Sequence, residues 1–144
     1  MKNFIKNHTK IFVCLCLVAV ILCGLGFDYA RSKTFKLEVE NITPENPVAD
    51  NRQPVEIVIT LTRFGKPIEG HTLYLLPQNG GSMVKNVVKT DENGRAKFTY
   101  NPYSETFLMK AQPVTFYCHD ESNSIFFEIK ANITFVINLR SKND

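Results

Sequence analysis

From Thr34 onward, apolar and polar side chains alternate with a period of two. Phe35, Leu37 and Val39 alternate with Lys36, Glu38 and Glu40, and Val55, Ile57, Ile59 and Leu61 with Glu56, Val58, Thr60 and Thr62. Ala96, Phe98 and Tyr100 frame Lys97 and Thr99, and the pattern returns in Ile125, Phe127 and Ile129 and in Ile133, Phe135, Ile137 and Leu139. Strands that bury one face have this period, whereas a helix would spread the same residues around its cylinder. Turn-forming residues separate the runs: two prolines in residues 41–47, Gly65, Pro67 and Gly70 in residues 63–70, and Gly80 with Gly81 in residues 78–82. The acidic stretch 91–94 reads as a tight turn, with Asn93 and Gly94 suited to left-handed backbone angles and a strand leaving at Ala96. Short strands spaced by such turns predict an all-β fold, an antiparallel β-sandwich of about seven strands over residues 34–140.

The N-terminus obeys a different pattern. Lys2, Lys6 and Lys10 precede residues 11–27, which contain no charged side chain. As a helix the run spans about 25 Å, against roughly 30 Å of bilayer hydrocarbon. It fits an uncleaved transmembrane anchor with Asp28, Tyr29 and Arg31 as an interfacial collar, or the apolar part of an export signal cut after the small residues Gly24 and Gly26. Lipidation at Cys23 is a third reading, although Leu22 stands where a bacterial lipobox has a small residue. Each reading puts residues 1–10 in the cytoplasm and the sandwich outside it, either held on the cell membrane or secreted. Residues 28–33 then form a linker, and residues 141–144 a polar tail.

Charge narrows the partners. The chain has 17 Lys and Arg against 14 Asp and Glu, and the three lysines before residue 11 account for the net +3. The remaining body is neutral, with both signs interspersed, which excludes the clustered basic face that nucleic acid requires. Of the four cysteines, Cys14, Cys16 and Cys23 lie in the apolar run; Cys118 shares a strand face with Val114 and Phe116 and reads as a buried small hydrophobe.

The stretch "VEIVITLTRFGKPIEGHTLYLL", followed by "KTDENGRAKFTY", resembles bacterial Ig-like domains of the invasin and intimin type over about residues 55–100. The matching positions are Gly65, Pro67, Ile68, Gly70, Thr90, Asp91, Gly94, Ala96 and Phe98. The resemblance implies an Ig-like sandwich. This chain carries one copy of a pattern that usually recurs in tandem, and its residues 116–139 are longer and more aromatic than the pattern.

Little in the chain suggests catalysis. His71 and His119 have no metal-ligand spacing, the serines lack a nucleophile-elbow context, and Asp91, Glu92 and Asn93 lack the alternating ligands of a calcium loop. No metal or cofactor is expected, and the chain reads as non-enzymatic. Aromatic residues are the better candidates for interaction: Phe64, Tyr74, Tyr103, Tyr117 and Phe126, with Phe107, lie in turns or opposite the regular apolar set. They either form an exposed patch for a protein, cell-wall or glycan partner, or serve the core and cover sheet edges. The expected function is a binding or structural module, with an accessory subunit of an envelope secretion or conjugation machine as the alternative and an exported enzyme or metal carrier as a remoter one.

Overall fold

The computed structural model describes residues 2–142, with side-chain surroundings from residue 10 onward; the ends of the basic segment 1–10 and of the tail 141–144 lie outside the described residues. A 31-residue helix, α1 (Lys2–Ser32), contains the whole apolar run. Its Lys10–Ser32 portion is long and apolar enough to cross a membrane. Most of its apolar side chains from Ile11 to Phe27 are exposed, so the helix is not a core element of the sandwich.

Among the described residues nine strands follow: β1 (Phe35–Thr43), β2 (Val55–Arg63), β3 (Lys66–Pro67), β4 (Thr72–Pro77), β5 (Ser82–Met83), β6 (Val87–Lys89), β7 (Arg95–Asn101), β8 (Val114–Asp120) and β9 (Asn132–Ile137). They form two sheets, β1-β2-β7-β5 with β3 on β2, and β6-β4-β8-β9. Every strand pair is antiparallel. Three of the nine are two- or three-residue edge pieces, which leaves six long strands where the alternation predicts about seven in all.

The period of two becomes burial directly. Val55, Ile57, Ile59 and Leu61 of β2, Ala96, Phe98 and Tyr100 of β7, Leu73 and Leu75 of β4, and Val114, Phe116 and Cys118 of β8 face one another between the sheets. The Phe116 ring meets Tyr100 edge-on at 4.8 Å and stacks on Phe135 at 5.2 Å, so aromatic packing joins the layers.

Register also fixes the two ends of the body. Phe35 pairs with Arg63 and Leu73 with Asp120 at the end where α1 enters; Thr43 pairs with Glu56 and Val114 with Ile137 at the opposite end. A ring contact of 5.2 Å between Phe35 and His71 ties the two sheets together at the helix end. The connection 102–113 lies at the far end, where the Glu105 amide donates to the Ala49 carbonyl.

Two expectations need correction. Residues 28–33 are not a free linker: α1 runs to Ser32, and Asp28 and Ser32 are buried against the sandwich. Residues 125–130 do not form a strand despite their alternation. Their amides at 125, 126 and 127 donate to the Asp28 carboxylate and not to a neighbouring strand, so this segment is a loop wrapped on the helix end.

Candidate interaction surface

Five of the positions that carry the sequence resemblance, Ile68, Gly70, Thr90, Asp91 and Gly94, meet in one structural knot. Gly94 takes φ +71, and a Cβ there would stand 2.6 Å from the Leu61 carbonyl oxygen. The Leu61 amide donates to the Gly94 carbonyl at 2.8 Å, and the Ile68 amide to the Leu61 carbonyl at 3.1 Å. Thr90 exchanges backbone bonds with Gly70 and His71, and its hydroxyl accepts from the His71 amide at 3.0 Å. Asp91 Oδ1 accepts from the Asn93 and Arg95 amides at 2.9 Å each, so its carboxylate closes the turn. These residues therefore join two loops across the sandwich, a purely architectural task.

The other polar constellation is architectural too. Asp120 is buried, accepts from the Ser122 amide at 2.8 Å and lies 2.8 Å from His71 Nδ1, while Ser122 Oγ accepts from the Thr72 amide. All three side chains are engaged in fastening the start of β4 to the end of β8. Cys118 is fully buried; burial and, secondarily, the nearby Asp120 charge push its thiol up to about 12, so it stays protonated and unreactive at neutral pH. Among the described residues, no group of three His, Cys, Asp or Glu side chains is placed to hold a metal.

The five aromatic candidates fall into three places. Tyr74 and Tyr117 come together on the outer face of the second sheet. Tyr74 pairs with His119 and Val87, and Tyr117 with Leu76 and Thr134. The His119 ring sits between the two tyrosines, with centroids 5.3 Å and 5.4 Å away, so three rings form a continuous row. Leu76, Val87 and Val136 are exposed around it, giving the face an apolar border. Its cause is local: Leu73 and Leu75, and Phe116 and Cys118, point inward, so the intervening residues must point out.

Phe64 and Phe126 lie at the helix end. Phe64 occupies the β2–β3 turn with φ +52, is 77% exposed, and stacks with Arg63, whose guanidinium carbon is 5.2 Å from the ring centroid. Phe126 is 73% exposed on the loop that wraps α1. Tyr103 lies at the far end, half-buried, its hydroxyl donating to the Lys110 carbonyl and accepting from the Gln112 amide. It braces a loop whose tip carries Phe107 and Leu108, 90% and 92% exposed. Sequence reasoning missed His119, Leu76 and Val136 as members of the outer face, although their outward parity was readable from their buried neighbours.

It also missed Asp28. Its Oδ2 accepts from the amides of Ile125 at 3.3 Å, Phe126 at 2.8 Å and Phe127 at 3.2 Å. The Tyr29 ring meets Phe127 edge-on at 5.6 Å, and the Lys130 amide donates to the Ser32 carbonyl at 3.0 Å. The helix and the sandwich are clasped, not tethered.

Two solved intimin fragments share this fold. A D00-D0 fragment of intimin superposes with a TM-score of 0.56 at 12% identity, over 76% of this chain and 48% of that one. The fold is that of intimin Ig-like domains. A 282-residue C-terminal fragment of intimin, in complex with the intimin-binding domain of its translocated receptor, gives 0.52 at 14% identity, over 71% of this chain and 33% of that one. A conjugative transposon lipoprotein from Bacteroides eggerthii DSM 20697 gives 0.46 at 20% identity, over 73% and 97%. The chain thus spans about half or less of the intimin fragments it resembles. No protein-family model matches the chain, and no curated protein does.

Proposed function

We propose that this chain is a membrane-held, extracytoplasmic Ig-like binding module, and that the outer face of its second sheet receives a protein partner. The row Tyr74, His119 and Tyr117, bordered by Leu76, Val87 and Val136, carries this reading. Rigid aromatic side chains in a mostly apolar setting supply contact area at low entropic cost, as interface hot spots do. The solved intimin fragment in complex with a domain of its receptor supports a protein as the class of partner. α1 would hold the body at the membrane through residues 11–27, and function would be positional, with binding and not turnover as its output.

A photo-crosslinking residue at position 117, compared with one at Lys97 on the exposed face of the first sheet, tests the proposal in native membranes. Discrete adducts from 117 that are lost with Tyr74→Ala, and none from 97, are expected. Equal adducts from both positions, or none from 117, would sink the assignment of this face. A third probe at Leu17 within the apolar run distinguishes the alternative: discrete adducts from 17 with none from 117 would mean that the chain belongs to a membrane machine and packs through its helix.

A further inference from the structure

The clasp at Asp28 places an apolar loop at a particular depth. Asp28 immediately follows the apolar run, and its carboxylate holds the amides of Ile125, Phe126 and Phe127 within 3.3 Å. Those three residues therefore stand at the height of the helix exit. Ile125 and Phe126 leave the clasp as large apolar side chains, 58% and 73% exposed. Phe64, also exposed, occupies a turn at the same end of the body.

The apolar run is short by about 5 Å, since 17 residues rise about 25 Å against roughly 30 Å of hydrocarbon. Lys10 marks its inner end, so the shortfall falls on the outer side, at Asp28. A bare carboxylate there would be costly, and it also stands near the helix C-terminus, where the macrodipole disfavours negative charge. The loop offsets this cost: three amides donate to Asp28 Oδ2, and the residue is left only 1% exposed. Around this point Tyr29 carries the Lys33 ammonium 4.2 Å above its ring and Arg31 adds positive charge suited to lipid phosphates, while Lys130 lies 3.6 Å from the exposed Glu128 carboxylate and neutralises it.

We infer that residues 122–128 are a membrane-contacting loop, in which Ile125 and Phe126 enter the outer bilayer interface beside α1 and fix the tilt of the sandwich. The occupant of this apolar tip is thus the lipid surface itself. The inference rests on the membrane-held reading of α1 and adds that the body sits on the bilayer and does not swing from it.

The chain contains no tryptophan, so Phe126→Trp creates a single reporter at this loop, and Phe107→Trp one at the far end. The full chain is reconstituted into vesicles of phosphatidylethanolamine and phosphatidylglycerol, with or without acyl chains brominated close to the headgroup. At the roughly 5–10 Å depth of an interfacial apolar face, Trp at 126 should lose about half its emission to bromine while Trp at 107 loses almost none. Ile125→Trp repeats the measurement should the first variant fold poorly. Equal emission with and without bromine at 126, or equal quenching at 126 and 107, in vesicles that retain the chain after alkaline carbonate, overturns the inference but leaves the anchor standing. Release of the chain by carbonate removes the anchor reading, and the inference falls with it.

Discussion

Gly94 shows how much of this fold rests on single backbone positions. Its φ of +71 lies in the region that L side chains rarely adopt, and the Leu61 carbonyl stands where a Cβ would go. Gly94→Ala should destabilise the sandwich by about 1–3 kcal/mol, read as a lower urea midpoint with an unchanged slope. An unchanged midpoint would mean that the turn relaxes freely and that the knot of loops around it is not needed. Asp28 is the opposite case, a residue whose role is set by charge and not by shape. Its three amide partners are 97, 98 and 99 residues away in the sequence, so no local pattern announces it. A carboxylate after an apolar run reads naturally as the start of a linker. Only the folded chain shows that it closes a joint.

At the scale of elements, β8 divides two tasks between neighbouring residues. Phe116 is fully buried against Tyr100 and Phe135, whereas Tyr117 points to the outer face. Phe116→Ala should therefore cost about 3–5 kcal/mol of stability. Tyr117→Ala should cost no more than about 1 kcal/mol, the range of a cross-strand pair. Comparable losses in chemical denaturation would place Tyr117 in the core and remove it from any interface. The strands themselves were legible because one buried face imposes a period of two on the side chains. The exception is the run Ile125, Phe127, Ile129, which has that period without being a strand. There the alternation serves a wrap around α1: Phe127 packs on Tyr29, Ile129 reaches the core, and Ile125 stays exposed. Pairing was not legible either, because which strand lies beside which is settled across the sheet. That is why Tyr74 and Tyr117 could be picked as candidates without the His119 ring that joins them.

For the whole molecule, the arrangement is polar in the mechanical sense. One end carries α1, the Asp28 clasp, Phe64 and Phe126; the other carries the loop 102–113 with Phe107 and Leu108 at its tip; and the aromatic row lies on the sheet between them. Such a body suits a fixed position at a membrane with one sheet face turned to a partner. In this arrangement the helix stays in the membrane and the sandwich stands outside it. The most direct test is labelling of a Leu108→Cys variant with a membrane-impermeant maleimide in intact spheroplasts. Cys118 stays silent in this experiment because its buried thiol is protonated, and a parent chain without the new cysteine sets the background from Cys14, Cys16 and Cys23. Strong labelling before lysis is expected, in a chain that pellets with the membranes and resists alkaline carbonate. Labelling only after lysis, or a labelled chain found free in the soluble fraction, would contradict this arrangement.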